Sequence, residues 1–414
     1  MPRAVAEICL PAPVVVPQQR HHAPVAPLWV AIGLAVGPLV AIGLARFAYA
    51  LLLPAMRADL DWSYAQAGAM NTANAAGYLL GAIITARLAA RHGARPVYLV
   101  GAFGTVAALI GSGLVTSFDA LLGLRAAAGL FGAFAFVLGA TLAAEAGTGA
   151  SRDRQGLIIA IYFAGAGLGV ALSSVIVPLA LAGGASGWRW GWLGFGAASL
   201  LTCLVSLPAV RHRPVTRPER SRDHGTLTGV SLAPLSASYA LCGAGYIAYM
   251  TFIVAFLRGE HVDPNIVSAF WAVLGLASVA TGFGWGYVLA RLTGGWAMVA
   301  VMTLIAAGAL APLLTASAGA AFLSAILFGG AQMAGPGAVT AFVRKARPPH
   351  AWTGEIGRLT VLFGLGQCLG PVLAGVLSDS PAGIRLGLTV SVGILALGTV
   401  IAALEREPET SRVE

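Results

Sequence analysis

Three of the 25 basic residues in this 414-residue chain lie inside long apolar stretches: Arg46 in VAIGLARFAYALLLP, Arg125 in RAAAG and Arg358 in EIGRLTVL. A guanidinium stays charged at any accessible pH, and placing one in lipid costs roughly 2.5–3.5 kcal/mol on insertion scales. Such a group must be held by neighbouring polar atoms or be available to a negative partner. Its planar fork of donors suits a carboxylate or phosphate, either of which can accept two parallel bonds from it. Polar side chains fall at comparable depth. Asn71, Asn74 and Tyr78 follow i, i+3, i+7 spacing on the second apolar stretch, and Tyr246, Tyr249, Gln332 and Gln367 lie near the middle of stretches in the second half. The expected anion-binding set is therefore Arg46, Asn74, Arg125, Tyr246, Tyr249, Gln332 and Gln367, with Asn74 steadying the Arg46 guanidinium. A structural reading stands beside it. Arg46 can bind backbone carbonyls, Arg125 can snorkel outward, and the Tyr and Gln side chains can bridge helices.

Other chemistry is excluded by what surrounds these residues. No Asp, Glu or His lies in the middle of an apolar stretch: Glu145 and Glu355 sit near the ends, and the seven histidines are in tails or loops. A mid-membrane carboxylate relay for protons is therefore missing. The segment GAGLG at 165–169 lies inside an apolar stretch with no strand before it, so it is not a nucleotide loop. With no P-loop, metal cluster or catalytic triad, neither enzyme chemistry nor any cofactor is expected. The four cysteines are spread over the tail (Cys9) and apolar stretches (Cys203, Cys242, Cys368), which suggests no disulfide framework.

The elements that must position these groups are transmembrane helices. Hydrophobic residues make up 58% of the chain and charged ones only 10%, and the mean hydropathy is +0.82. Spans of membrane-crossing length fall near 28–54, 65–86, 96–116, 119–144, 156–182, 190–210, 232–257, 266–290, 296–316, 319–343, 354–378 and 384–404. Runs this long pair their backbone groups internally only as helices. The first 27 residues, CLPAPVVVP included, are broken by prolines and read as a disordered tail. The polar stretch RHRPVTRPERSRDHGTLTG separates two six-helix halves. The expected organisation is tail 1–27, bundle 28–210, linker 211–231, bundle 232–404 and tail 405–414. The tails and even-numbered loops hold 18 of the basic residues, against Arg57, Arg189, Arg258 and Arg385 opposite, which puts both termini in the cytoplasm. The net charge of +9 thus reflects topology and contact with anionic lipid, not nucleic acid. The 54 glycines read as packing faces, as in the pairs Gly33/Gly37, Gly77/Gly81, Gly165/Gly169 and Gly366/Gly370.

Motifs on these helices resemble a known superfamily. ARLAARHGAR at 86–95 is similar to the G-x-L-A-D-R-x-G-R-R loop of the major facilitator superfamily, matching at Leu88, Ala89, Arg91, Gly93 and Arg95. Ala90 stands where that pattern has an acidic residue that helps lock the halves together, so this contact is expected to be lacking. Arg125 and Gly129 match the arginine and glycine of the family's fourth helix. LARFAYALLLP, WAVLGLAS and GQCLGPVLAG together look like the bacterial YbfB/YjiJ-type subgroup. GYVLARLTGG at 286–295 echoes the first-half loop.

The resemblance implies an all-α membrane protein of twelve helices in two pseudo-symmetric six-helix bundles. It also implies secondary transport by alternating access in the bacterial inner membrane, with the helices of Arg46 and Arg125 lining a central cavity. Uncompensated arginines there favour a small organic anion as solute. Arg91, Gly93, Arg95, Arg291, Glu355 and Arg358 are the expected gating residues. The expected partners are the solute and membrane lipids, in a monomer that binds no nucleic acid. Two other readings remain open: an efflux pump for apolar compounds, and a receptor or assembly protein on the same fold. The charge bias is directly testable. Reporter fusions after Asp59, Pro214 and Arg412 should read outside, inside and inside, and any other order refutes the span assignment.

Overall fold

The long apolar runs fold as helices because lipid offers their backbone groups no other partner. In a computed structural model, which describes residues 28–211 and 231–405, twelve helices are long and apolar enough to cross a membrane. They are α1 (Leu28–Asp59), α2 (Tyr64–His92), α3 (Ala94–Leu114), α4 (Phe118–Ala146), α5 (Arg152–Leu181) and α6 (Trp188–Arg211). The second set is α7 (Ala233–Gly259), α8 (Pro264–Arg291), α9 (Trp296–Leu314), α10 (Ala318–Ala346), α11 (Pro349–Ser378) and α12 (Gly383–Ala403). The expectations for residues 1–27, for all but the ends of the linker, and for 406–414 lie outside the described residues. Glu405, expected at the start of the tail, is packed into the body. Its Oε2 accepts from Leu235 N at 2.7 Å in the first turn of α7, and burial pushes its carboxyl above the usual carboxylate range.

Two helices depart from the regular form expected of them. In α1, Pro38 brings no N–H, and the helix widens into a π segment over Leu39–Phe47, where Ala48 N donates to Gly43 O five residues back at 3.0 Å. In α10 the regular helix stops at Gln332 and restarts at Gly335, where the following Pro336 again lacks a donor.

Both described chain ends lie at one end of the molecule, here called proximal; the loops between α1 and α2 and between α7 and α8 lie at the other, distal end. The first helices of the two bundles are the most enclosed: 83% of the most apolar window of α7 and 67% of that of α1 are buried, against 28% for α2. α1 and α7 thus form the axis. The glycine pairs seat neighbouring helices within each bundle: Gly77 and Gly81 lie on α4, Gly165 and Gly169 on α1, and Gly366 and Gly370 on α7.

Between the bundles, α2 packs on α11 and α5 on α8. The α2–α11 contact is a tight distal seam. The Asp379 carboxylate, just past the end of α11, accepts from Tyr64 N at 2.7 Å and Ala65 N at 2.9 Å, capping the positive N-terminus of α2 from the opposite bundle. One turn further in, Gly68 lies so close to α11 that an added Cβ would collide with the Pro371 carbonyl oxygen. Below it Thr72 Oγ1 donates to Cys368 O at 2.7 Å, and Asn71 Nδ2 donates to Thr251 Oγ1 at 2.6 Å. On the other side of the interface, Trp271 Nε1 of α8 donates to Ser173 Oγ of α5 at 3.0 Å. These bonds all lie in the distal half, so the molecule is closed distally. Gly68→Ala should push α2 and α11 apart because backbone cannot yield as a side chain can. Spin labels at the distal ends of the two helices should then report a lengthened distance; an unchanged one would mean that the seam re-seats around a methyl group.

Candidate functional site

The widened turn of α1 organises the centre of the molecule. Arg46 stands in it and is only 3% exposed. Its Nη2 donates at 2.8 Å to Oε1 of Gln367 on α11, in the opposite bundle. Gln367 Nε2 in turn donates to the hydroxyl of Tyr246 on α7. The Arg46 guanidinium lies 5.6 Å from the ring centroid of Tyr78 on α2, a cation–π contact in a desolvated setting. Its Nε has no hydrogen-bond partner, and no carboxylate pairs with it among the described residues. Tyr246 stacks on Phe363 at 5.6 Å and 7°, and Phe363 stacks on Tyr239 at 4.4 Å and 15°, so three parallel rings extend from the network toward the proximal end.

Arg125, expected to assist Arg46 or else to snorkel outward, is buried. Its side chain does not snorkel: it is 1% exposed, and its guanidinium stands 5.1 Å from the ring centroids of both Tyr49 and Trp192. Nη1 donates to Ala45 O, the carbonyl immediately before Arg46, while Nε and Nη2 have no hydrogen-bond partner. Asn74 does not steady the Arg46 guanidinium, contrary to expectation. Its Nδ2 donates instead to the backbone carbonyl of Arg125 at 3.2 Å, and Gln367 takes the expected role. Three backbone and side-chain links thus run from α2 to α4 to α1 and across to α11.

Two expected members of the set face elsewhere. Tyr249, one turn beyond Tyr246, points to α10, where its hydroxyl lies 2.5 Å from Ser324 Oγ. Gln332, at the break in α10, donates from Nε2 to Ser278 Oγ on α8 at 2.7 Å and keeps an unpartnered, buried Oε1. The expected gating residues make contacts within their own bundles. Glu355 pairs with Arg358 at 3.1 Å and with Arg347 at 3.9 Å, Arg95 Nε donates to Val210 O at 3.0 Å, and Arg291 stacks over Tyr287 at 3.8 Å. Arg91 is exposed, and Gly93 turns the chain between α2 and α3 at φ +88°, a conformation that costs other residues strain. Tyr49 and Trp192 join the network, and Asp379 the distal seam, without having been expected there; Tyr49 stands three residues after Arg46, and Asp379 directly follows the last residue of α11.

A family model described as "Uncharacterised MFS-type transporter YbfB" matches residues 38–403. The chain belongs to this family. The YbfB-type chain is 26% identical over 394 residues to the inner membrane transport protein YdhP of Escherichia coli K12, covering 92% of the chain and 97% of that relative. Its fold is shared with a bacterial homologue of the human lysosomal transporter Spinster, in an inward-facing and occupied conformation, at a TM-score of 0.69 and 16% identity over 91% of this chain and 95% of that one. It is shared as well with the nucleoside transporter NupG, at a TM-score of 0.68 and 18% identity over 90% and 97% of the two chains. This YbfB-type protein is accordingly a membrane transporter of the major facilitator fold and not an enzyme.

The geometry divides the two arginines. Replacing Arg125 removes a buried bond to the Ala45 carbonyl and should destabilise the fold by about 1–3 kcal/mol. In thermal unfolding, Arg125→Gln should therefore lower the midpoint, while solute binding per folded molecule stays within a few-fold of wild type. A selective loss of binding at unchanged stability would reverse that assignment.

Proposed function

We propose that this protein moves a small organic anion across the bacterial inner membrane by alternating access, and that Arg46 is the residue that coordinates it. One observation carries the reading: the Arg46 guanidinium is buried at the bundle interface and no carboxylate among the described residues compensates it. A buried charge with a neutral amide as its main partner is poorly satisfied, and an incoming carboxylate or phosphate can offer two charge-assisted bonds in place of one neutral one. Gln367 is a suitable group to be displaced, because its amide can turn and donate to the same anion. Tyr246 then provides a second donor on α7, and Tyr78 closes the pocket wall from α2.

Alternating access fits the distribution of contacts. Arg46 belongs to one bundle, Gln367 and Tyr246 to the other, so an anion held between them senses the relative position of both. The distal seam from Asp379 to Thr72 is closed. With both termini cytoplasmic, as the charge bias of the loops predicts, the closed distal side faces away from the cytoplasm. Arg125 and Asn74 tie α4 and α2 to the backbone around the π segment and support the fold there without contacting the anion. Gln332 and Tyr249 serve helix packing in the second bundle.

Lysine at position 46 keeps the charge and loses the fork, so Arg46→Lys should bind an anionic solute about 10- to 150-fold more weakly, equivalent to about 1.5–3 kcal/mol. Arg46→Gln should be weaker still toward an anion and nearly unchanged toward an apolar compound. The measurement is solute binding and proteoliposome flux for wild type and both variants at matched thermal stability, after a thermal-shift screen of organic anions has identified a ligand. Unimpaired anion binding by both variants would make Arg46 structural, and unimpaired flux of an apolar compound would favour efflux.

A further inference from the structure

A cavity lies away from Arg46, at the distal end between α1 and α5 of one bundle and α7 and α8 of the other. Its volume is about 430 Å³, within the range of small-molecule sites. Its walls are mostly aliphatic, chiefly Leu51, Val177, Leu181, Val254 and Val267, with Asn265 and Ser268 as polar members, and among the described residues no acidic side chain lines it. Arg258, in the last turn of α7, is the one charged residue of the lining among the described residues.

Arg258 differs from the other distal arginines in having nothing to hold. Arg57 lies over the Tyr64 ring at 3.9 Å, Arg189 donates to the carbonyls of Gly113 and Leu114, and Arg385 reaches Glu260 and the Leu313 carbonyl. The Arg258 side chain has no hydrogen-bond or ion-pair partner among the described residues, and the residue is exposed. The acidic residues nearest to it in the chain are engaged: Glu260 with Arg385, and Asp263 in capping α8 through Asn265 N at 2.7 Å. A mostly aliphatic chamber whose lining charge is a cation without a side-chain partner, with the nearby carboxylates of Glu260 and Asp263 already engaged, is complementary to one ligand type, a chain-bearing monoanion.

We propose that this distal cavity is a second binding site, for an amphiphilic carboxylate of the fatty-acid type, with the head at Arg258 and the chain among Leu51, Val177 and Val254. Its walls come from both bundles, so a bound chain spans the interface on the side opposite the α2–α11 seam. Opening the distal side would pull those walls apart, and the ligand therefore favours the distal-closed form. The site is independent of the anion reading of Arg46.

The test uses the full chain in nanodiscs of zwitterionic lipid, titrated with decanoate and, as references, decanol and decyltrimethylammonium. Saturable decanoate binding is expected, with decanol weaker and the cation weaker still. Arg258→Gln should weaken decanoate by about fivefold, equivalent to about 1 kcal/mol for an exposed charge contact, and leave decanol unchanged. Val177→Trp should abolish both by filling the chamber, and Arg46→Gln should leave both intact. Because Arg258 is a surface residue, its variant keeps the test readable if the tryptophan variant does not fold. Equal binding of the cation, no saturable binding, or loss of decanoate in Arg46→Gln with none in Arg258→Gln would each overturn the proposal; the last would move the ligand to the central site.

Discussion

One hydrogen bond from a charge without a counter-ion governs the arrangement of this molecule. Arg46 crosses from α1 to Gln367 on α11, and the helices around it are arranged to make that contact possible. Pro38 opens the π segment, Arg125 holds the Ala45 carbonyl beside it, Tyr49 and Trp192 enclose Arg125, and Asn74 fixes the backbone of Arg125 from α2. A buried charge satisfied in this partial way is unfavourable for stability alone, and replacing it by apolar groups would often be neutral or better. On the proposed reading, the anionic solute supplies the missing charge.

The hydrogen bonds between the bundles are unevenly distributed along the membrane normal, although α5 and α8 also approach in the proximal half at Ala160 and Gly282. The distal half carries the Asp379 cap, the close approach at Gly68 and the bonds of Thr72, Asn71 and Trp271. At the proximal end the ion pairs of Glu355 and the Arg95 bond to Val210 stay inside single bundles, and Ala90, where the superfamily motif has an acidic residue, is exposed at the end of α2. Helix α2 therefore meets an acidic partner at its distal N-terminus and offers none near its proximal end. That asymmetry favours the distal-closed form, with no need of a bound solute to explain it.

Much of this can be read from the sequence, and the limits have physical causes. Span positions follow from runs of apolar residues, because lipid forces helices on them, and the twelve expected spans coincide with the observed ones to within a few residues at most ends. Arg46 is identifiable because a charge in an apolar run needs an explanation. Its partner is not: Gln367 is 321 residues away, and only the packing of α11 on α2 brings it near. Depth counting puts Tyr249 and Gln332 at the right level, but depth says nothing of azimuth. Tyr246 and Tyr249, three residues apart, end on Gln367 and Ser324 in different helices. The π segment is hidden for a related reason, since one widened turn shifts every later side chain without changing hydropathy.

The separation between Arg46 and its acceptor also has a meaning for biogenesis. At about 5–20 residues per second, the ribosome needs roughly 16–64 s to synthesise the 321 residues between Arg46 and Gln367. During that interval α1 must reside in the bilayer, or at the insertion machinery, with its guanidinium unanswered from the second bundle. Arg125, which binds the neighbouring carbonyl, is made much sooner, so the first bundle can shape the turn around Arg46 before the second exists. The mean hydropathy of 2.2 over the most apolar window of α1 supplies the insertion energy that holds the charge there meanwhile. The final fold is thus completed by a late contact to an early helix, and a chain truncated before α11 would leave that helix in the membrane with its charge exposed to quality control.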